Sequence, residues 1–425
     1  MVEQKHEARS PLPCLRESAQ RHAVQALPIP SAIYPRGFAR IQPTGPTTLD
    51  TRTMRIGITC YPTYGGSGIV ATELGLELAQ RGHEVHFISY ANPIRLDPDT
   101  PGIHYHEVEV STYPLFQYPP YSLALASRMA EVAERHQLDL LHVHYAIPHS
   151  ISALLAQEMI TTRRLPFITT LHGTDITLVG SDPNYFPITK FSIERSDGIT
   201  TISEYMRQRT VDFFGIRKPI EVIHNFVNCS IYRPDESVRP KGAKRILHIS
   251  NFRPVKRVLD CIHAFQKVRQ AVADAELVMA GDGPERGPAE RLAFQLGIET
   301  HVRFLGKQDH MERLIPRMHA LHLPSETEAF GLAALEAMAC GVPPVATRTG
   351  GVPDLITHGV DGFMEPVGDI DAQAGRLISL LTDEALHSRL SAAARSTAQN
   401  RFSTELIIPR YEAYYQLVCG SSREL

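Results

Sequence analysis

Short runs of hydrophobic residues recur along most of the chain, and stretches with the helical spacing of apolar positions lie between them. The runs predict strands, in chain order, at Arg55–Tyr61, Glu84–Tyr90, Leu140–His144, Pro166–Leu171, Gly198–Ile202, Glu221–Ile223, Arg245–Ser250, Glu276–Ala280, Val302–Leu305, Ala320–Pro324 and Pro344–Thr347. Helices such as Gly68–Arg81 and Tyr121–His136 are predicted between strands. This alternation is typical of parallel α/β sheets with right-handed crossovers.

A polar, proline-containing stretch at Tyr232–Lys244 divides the strands into two series. We therefore expect two doubly wound, Rossmann-like α/β domains, one at 54–235 and the other at 236–400. Ligands of such sheets bind outside the carboxyl ends of the strands, so the expected site is the cleft between the two domains. A helix is predicted within 401–425, from the pattern at Ser403–Val418, and it could pack back on the first domain.

Residues 1–53 differ from the rest of the chain. They contain seven prolines and little periodicity, which is typical of a disordered extension. Met54 stands directly before the first predicted strand. We therefore hypothesise that Met54 is the native initiator, which mass spectrometry of the native N-terminus would test.

Composition narrows the class of protein. The chain has 425 residues and a net charge of −3, from 43 basic and 46 acidic residues, which disfavours a duplex nucleic-acid binder. No apolar run approaches the length of about 18 residues that a membrane span needs. The six cysteines are scattered without a C-x-x-C pair, a pattern that fits the reducing cytoplasm better than a disulfide framework or a structural zinc site.

A glycine-rich turn, Tyr64-Gly-Gly-Ser-Gly68, follows the first predicted strand and opens a helix. Small residues and free N–H groups at a helix N-terminus suit an anion, but such a turn also occurs where a helix and a strand only pack closely. Gly66–Ala71 has the G-x-G-x-x-A spacing of dinucleotide-binding folds. The second strand lacks the terminal acidic residue of that fold, which disfavours a dehydrogenase.

Two glutamates stand out in the segment Ser325–Pro343. Glu328 lies in the loop after a predicted strand, and Glu336 lies within the next, otherwise apolar, helix. A buried carboxylate needs a partner, and Glu336 could accept hydrogen bonds from a ribose diol. The free N–H groups around Phe330, Gly331 and Leu332 could bind a phosphate.

Cations and histidines follow other strands. Arg253, Lys256 and Arg257 lie just after the first strand of the second domain, where they could bind phosphate or form an ordinary solvated charge run. His172 and Asp175 follow another strand and face the expected cleft, although a structural histidine is an equal alternative. His142 and His144 share one strand face, and with His149 they are a less favoured candidate metal site.

The glutamate pair, Arg253 with Lys256, the glycine pair Gly65-Gly66 and His172 together resemble the retaining family 4 glycosyltransferases of GT-B fold. The resemblance covers about residues 54–418. Longer segments, including Thr170-Leu-His-Gly-Thr-Asp-Ile-Thr and His248-Ile-Ser-Asn-Phe-Arg-Pro-Val-Lys-Arg-Val, are similar to those members of the family that join N-acetylglucosamine to L-malate in bacillithiol biosynthesis.

The resemblance implies roles for individual residues. UDP-N-acetylglucosamine would bind mainly the second domain, with Glu336 on the ribose hydroxyls and Glu328 and His172 at the sugar. The side chains of Arg253 and Lys256 would bind the diphosphate, together with backbone groups of Gly65, Gly66, Phe330, Gly331 and Leu332. L-Malate would contact the first domain, through Ser67, Tyr145, Thr170, Asn225 and Arg253 or Arg257.

The resemblance also implies retention of anomeric configuration, with a donor phosphate oxygen taking the acceptor proton. Cations and two helix N-termini converge on the expected diphosphate position, so we expect no metal ion or other cofactor. Three alternatives stay open: a related transferase with an inositol phosphate or a lipid-linked sugar as acceptor, a UDP-sugar 2-epimerase, and a non-catalytic nucleotide-sugar sensor. A cytoplasmic location is expected and a homo-oligomer is left open; no nucleic acid or membrane partner is expected.

Overall fold

A computed structural model describes residues 53–421 of the chain, except 64, 112, 113, 116 and 239–241. The predicted extension at 1–53 lies outside the described residues, apart from residue 53. Met54 is buried, and the first strand begins at Arg55.

The N-terminal half is built on a seven-stranded parallel sheet with strand order β3-β2-β1-β4-β5-β6-β7. Its strands are β1 (Arg55–Thr59), β2 (Glu84–Ser89), β3 (Ile103–Glu107), β4 (Leu140–His144), β5 (Phe167–Leu171), β6 (Gly198–Thr201) and β7 (Glu221–Val222). The helices are α1 (Gly66–Gln80), α2 (Tyr121–His136), α3 (Ile151–Met159), α4 (Phe186–Arg195) and α5 (Glu204–Phe214). Every residue of β4 and β5 is buried, as expected for central strands covered on both faces.

The second half has a six-stranded parallel sheet with order β10-β9-β8-β11-β12-β13. Its strands are β8 (Lys244–Ile249), β9 (Ala275–Ala280), β10 (Val302–Gly306), β11 (Ala320–Leu323), β12 (Pro344–Thr347) and β13 (Phe363–Glu365). The helices are α6 (Val258–Ala271), α7 (Arg286–Gln295), α8 (Met311–Leu314), α9 (Leu332–Ala339), α10 (Val352–Leu355), α11 (Ile370–Thr382) and α12 (Glu384–Arg401). Helix α9 is apolar on nearly all sides because it lies in the core.

Several predicted boundaries differ from the structure. The sequence analysis did not identify β3 or β13, and α1 begins two residues before the predicted start at Gly68. The predicted strand at Pro166–Leu171 begins one residue later, because Pro166 has no N–H to donate. Among the described residues, no helix is both long enough and apolar enough to cross a membrane.

The last helix, α13 (Thr404–Ser421), packs against the first sheet rather than the second. Its buried residues Ile408, Tyr411 and Tyr415 join the hydrophobic cluster that contains Ile56 and Leu74. The C-terminal helix therefore packs on the first half of the chain, although it follows the second half in sequence, and it connects the two halves.

A buried carboxylate fixes α13 in place. Glu412 accepts two hydrogen bonds from Arg81, at 2.8 and 2.9 Å, and its Oε1 lies 3.0 Å from His83 Nε2. Burial alone would raise the pKa of Glu412, but the hydrogen bonds from His83 and Arg81 outweigh burial and lower it. The resulting stabilisation is present above the ordinary carboxyl pKa and is lost as the pH falls through the lowered value.

We expect Glu412→Gln to lower the free energy of unfolding at pH 7 by about 2–3 kcal/mol, since charge-assisted hydrogen bonds are lost in a buried setting. Urea denaturation measures the change. The control is Glu221→Gln, which removes an exposed pair with Arg410 of the same helix and should cost no more than about 0.5 kcal/mol. Equal, small effects of both substitutions would contradict this account of how α13 is held.

Candidate active site

The glycine turn before α1 leaves open space on one side. An ideal Cβ atom at Gly65 or Gly66 would meet no described residue within 4 Å beyond its chain neighbours, whereas one at Gly68 would lie 2.6 Å from the carbonyl oxygen of Tyr61. The first N–H groups of α1 have no partner within the helix, and its first turn carries no acidic residue. Gly68 is thus required for packing, while Gly65 and Gly66 leave the helix N-terminus accessible to an anion.

Tyr145 projects from the carboxyl end of β4 in a strained conformation. Its φ of 92° lies in a region that non-glycine residues rarely adopt. The Ser67 hydroxyl donates to Tyr145 Oη at 3.3 Å. Burial raises the pKa of Tyr145, while the Ser67 hydrogen bond and the positive charge of Arg253 act against the shift. The Arg253 guanidinium, from the second half of the chain, therefore interacts electrostatically with the phenol.

His172 follows β5 and stacks beside Tyr145, with 5.7 Å between ring centroids. Its Nε2 lies 2.8 Å from His144 Nδ1, so a second histidine fixes the orientation of the ring. Burial lowers the pKa of His172 to about 3. The imidazole is therefore neutral at pH 7 and suits hydrogen bonding to a sugar rather than charge neutralisation.

The carboxylate of Asp175 organises the loop that carries His172. Its Oδ1 accepts from the N–H groups of Gly173 at 2.9 Å and His172 at 3.2 Å, and its Oδ2 accepts from that of Ala146 at 3.3 Å. Burial outweighs these hydrogen bonds and raises the pKa of Asp175 to about 6. Asp175 acts inside the protein, as a positioning residue for His172.

In the second half, Lys256 and Glu328 form an ion pair through Nζ and Oε1. Ser325 Oγ donates to the same carboxylate oxygen at 3.1 Å. The backbone joins the two loops as well, because the N–H of Glu326 donates to the carbonyl of Val255 at 2.8 Å. The loops after β8 and β11 thus hold a paired cation and carboxylate at the carboxyl edge of the sheet.

The glycine pair Gly350-Gly351 packs closely against the backbone of the loop that carries Glu328. Gly350 has a φ of +55°, and a Cβ atom there would lie 1.9 Å from the carbonyl oxygen of Glu328. The N–H of Gly351 donates to that carbonyl at 2.9 Å. Any larger residue at 350 would therefore displace Glu328.

Glu336 is 6% exposed and already has partners in the structure. Its Oε1 lies 3.6 Å from Nη1 of Arg95, a residue of the loop after β2, and Tyr232 hydrogen-bonds the same carboxylate. Burial raises the pKa of Glu336, while Arg95 and Tyr232 oppose that shift. A cavity of about 20 Å³ adjoins Glu336, with room for about one water molecule. The sequence analysis missed Arg95 and Tyr232.

Loops from both halves touch above the strand ends. A Cβ atom on Gly173 would lie 2.9 Å from that of Ala329, next to Glu328. Ser203 Oγ donates to the carbonyl of Ala329 at 2.7 Å. These contacts, with the electrostatic effect of Arg253 on Tyr145, bring both halves of the predicted site to one cleft.

Some of the predicted site residues do not present their side chains to this cleft. Thr170 is buried inside the sheet, where its hydroxyl lies 2.6 Å from both His142 Nε2 and Thr200 Oγ1, so it is not presented to an acceptor. The Arg257 guanidinium instead bonds Asp260 at 2.6 Å within its own half. The Phe330 ring lies in the core, which leaves only its backbone for a ligand.

Two further predictions concern buried polar groups. Asn225 is buried, and its side-chain oxygen has no hydrogen-bond partner in the described part of the chain. The candidate metal site at His142 is disfavoured, because His142 Nδ1 lies 2.7 Å from Tyr415 Oη and its Nε2 lies 2.6 Å from Thr170. Both nitrogens of that ring are therefore occupied.

Comparison with known proteins identifies the family. The model for "Glycosyltransferase Family 4" matches residues 64–231, and the model for "Glycosyl transferases group 1" matches residues 233–397. N-acetyl-alpha-D-glucosaminyl L-malate synthase of Bacillus anthracis is 48% identical over 369 residues, which are 85% of this chain and 96% of that protein. The chain belongs to glycosyltransferase family 4. The family predicted from the sequence is confirmed.

Solved glycosyltransferases share the fold. One from Rickettsia africae is 22% identical with a TM-score of 0.72, covering 86% of this chain and 98% of that one. Anabaena HepE, solved with UDP and glucose, is 19% identical with a TM-score of 0.71, covering 85% of this chain and 99% of that one. This family 4 glycosyltransferase therefore has the GT-B fold, as predicted, with two α/β halves that face a cleft.

Proposed function

We propose that the chain is a retaining glycosyltransferase that moves N-acetylglucosamine from UDP-N-acetylglucosamine to the hydroxyl of L-malate, the first step of bacillithiol biosynthesis. The similarity to the Bacillus anthracis malate synthase over nearly its whole length carries the proposal. The cleft supports it, because groups suited to a nucleotide diphosphate and groups suited to a small polar acceptor lie on facing loops.

The donor would lie against the second half of the chain. Glu336 would accept hydrogen bonds from the ribose hydroxyls once its carboxylate is shared with, or released by, Arg95. Arg253, Lys256 and the N-termini of α1 and α9 would surround the diphosphate. Their positive potential is largest where the departing phosphate gains charge, which is the condition for electrostatic catalysis.

The acceptor would lie against the first half. Ser67 and Tyr145 present hydroxyl groups at 3.3 Å from each other, and Arg253 adds a positive charge nearby. A small hydroxy diacid could use all three groups. The neutral His172 would hydrogen-bond the sugar between donor and acceptor.

The reaction would then proceed on one face of the sugar. The bond from the anomeric carbon to the β-phosphate oxygen breaks with its electron pair on the diphosphate, and the malate hydroxyl oxygen forms the new bond from the same side. The hydroxyl proton passes to a departing phosphate oxygen. Lys256 and Arg253 stabilise the charge on the diphosphate, so no protein nucleophile is required.

We expect the release of UDP from UDP-N-acetylglucosamine to require L-malate in an assay against a panel of acceptors. Inositol phosphate and lipid-linked sugars serve as the competing acceptors, and D-malate is the matched stereochemical control. Activity with inositol phosphate but not L-malate would replace the proposed acceptor. Formation of the 2-epimer without an acceptor would indicate an epimerase, and binding of UDP without turnover would indicate a sensor.

We propose further that turnover needs no metal ion. Two D-x-D spacings occur, Asp97–Asp99 and Asp369–Asp371, and the carboxylates of Asp97, Asp369 and Asp371 have other partners. Asp97 Oδ1 accepts from the N–H of Asp99 at 3.0 Å, Asp369 caps α11, and Asp371 pairs with Lys267 at 2.7 Å. Protein cations therefore remain to neutralise the diphosphate.

Excess EDTA is accordingly expected to leave kcat unchanged within twofold, because Lys256 and Arg253 supply the positive charge that a metal would provide. Added Mg²⁺ or Mn²⁺ should not raise kcat. An EDTA-treated enzyme that loses turnover and regains it with Mg²⁺ would contradict this account of the leaving group.

A further inference from the structure

Five side chains on β2, β3 and the end of α2 form a cluster, which we call the histidine cluster: Glu84, His86, His104, His106 and His136. Glu84, His86 and His104 lie in the amino-terminal halves of β2 and β3. The catalytic cleft lies at the carboxyl ends of the strands. Since all described strands of this sheet are parallel, the histidine cluster lies at the opposite edge of the sheet from the cleft. The histidine cluster takes no part in the proposed transferase reaction.

The ligand atoms of Glu84, His86 and His104 all lie within 4.8 Å of one another, and two of their distances match the spacing around one ion. Glu84 Oε1 lies 3.3 Å from His86 Nε2 and 3.2 Å from His104 Nε2. Two ligands at about 2.0–2.1 Å from a tetrahedral zinc are about 3.3–3.4 Å apart. The two imidazole rings stand side by side because β2 and β3 pair His86 with His104 in register, with ring centroids 4.6 Å apart.

The central ligand has an unpartnered nitrogen. His86 is completely buried, and within the described part of the chain its Nε2 makes no hydrogen bond, since its contact with Glu84 Oε1 is a close approach without hydrogen-bond geometry. Its Nδ1 lies 2.9 Å from His106 Nε2, and this contact fixes the orientation of the ring, as a hydrogen bond to the other ring nitrogen does for metal-bound histidines.

A competing arrangement uses His86, His106 and His136. The 2.9 Å contact between His86 Nδ1 and His106 Nε2 is a hydrogen-bond distance and is shorter than the spacing of two nitrogens on zinc, about 3.3–3.4 Å. On the other side, Arg55 Nε lies 3.8 Å from Glu84 Oε2, which leaves Oε1 facing the two histidines. His104 and Glu84 are both partly exposed, which gives an ion a path from solvent.

We propose that Glu84 Oε1, His86 Nε2 and His104 Nε2 bind one divalent transition-metal ion, Zn²⁺ first among them, with water in the fourth position. Imidazole and carboxylate ligands select such ions over Mg²⁺ or Ca²⁺. The ion joins two neighbouring strands at the edge of the sheet and stabilises the fold there.

Zinc binding is tested with the full chain after EDTA treatment and gel filtration, by isothermal titration with ZnCl₂ and by Co²⁺ absorption spectra. The wild type is expected to bind one equivalent more than the Glu84→Gln/His104→Gln double variant, and its Tm should rise on adding Zn²⁺. Each single variant should bind at least tenfold more weakly. Both residues are partly exposed, so these variants should fold; their far-UV spectra and UDP affinity check this.

His310→Gln is the matched control, since it removes an exposed histidine that is also paired with a glutamate, Glu312. It should leave zinc binding unchanged. Wild type that binds no more zinc than the double variant overturns the proposal. Binding that is lost in His136→Gln and kept in Glu84→Gln overturns it in favour of the other triad. Turnover is recorded separately, and the metal-free enzyme should keep its kcat because the cleft is unaffected.

Discussion

Lys256→Met is expected to lower kcat about 10²–10³-fold while changing the affinity for UDP much less. Breaking the anomeric bond adds negative charge to the diphosphate, and a preorganised donor aimed at such charge contributes on the order of 3–4 kcal/mol to lowering the barrier. The Lys256 ammonium lies at the strand edge, half-buried against Glu328, so bulk water screens it only in part. Steady-state kinetics and isothermal titration with UDP separate the two effects.

Two controls make this result specific. Lys267→Met removes a lysine of the same half, which is paired with Asp371 on the surface, and it should leave kcat unchanged. The double variant Lys256→Met/Glu328→Gln removes the carboxylate that the single variant leaves unpaired. If the unpaired carboxylate caused the defect, the double variant would turn over as fast as Glu328→Gln alone. We expect the double variant to be slower than Glu328→Gln by about tenfold or more, because Lys256 also stabilises the charge on the diphosphate.

Glu336→Gln is expected to raise the Kd for UDP about 10–100-fold. A carboxylate that accepts from both ribose hydroxyls makes two charge-assisted hydrogen bonds, each about 1.5–3 kcal/mol in favourable cases, and competition with Arg95 reduces the net gain. The substitution keeps the size of the side chain, so the apolar packing around α9 is retained.

The ribose contact itself is tested with 2′-deoxy-UDP. Wild type should bind 2′-deoxy-UDP more weakly than UDP, and Glu336→Gln should bind the two nucleotides with nearly equal affinity. Glu365→Gln is the matched control, because Glu365 is also a buried glutamate paired with an arginine, Arg376, in the same half. A variant at 336 that still discriminates against the deoxynucleotide as wild type does would remove Glu336 from the ribose site.

The elements that sequence predicts best are the buried central strands. β4 and β5 are covered on both faces, so their hydrophobic runs are continuous and the polar residues after them mark the strand ends. For that reason Tyr145 and His172 could be assigned to the cleft before their contacts were known. The spacing of Glu328 and Glu336 likewise identified a loop and the helix that follows it.

Two edge strands, β3 and β13, gave no such signal, whereas the edge strands β7 and β10 were predicted. β3 carries His104 and His106 in the sequence Ile-His-Tyr-His-Glu, and only Ile103 of its five residues is buried. β13 has only three residues. A strand at an edge is defined by the neighbour that it pairs with, which local periodicity does not contain.

Contacts between residues that are far apart in the sequence could not be predicted from the sequence either. Arg95 lies in an irregular loop with a φ of 64°, and nothing near it in sequence indicates that it pairs with Glu336. Thr170 belongs to the same sequence motif as His172, but its hydroxyl lies inside the sheet. Successive side chains of a strand point to opposite faces, so a residue of the motif need not face the cleft. The Arg95–Glu336 pair depends on the packing of the two halves.

The most direct test of the central claim is NMR analysis of one reaction, with UDP-N-acetylglucosamine and L-malate in excess EDTA. The account predicts that UDP and an α-linked N-acetylglucosaminyl malate accumulate in equal amounts, and that neither forms when malate is left out. A β-linked product, or donor consumed without malate, would contradict transfer with retention in a cleft where lysine and arginine neutralise the departing diphosphate.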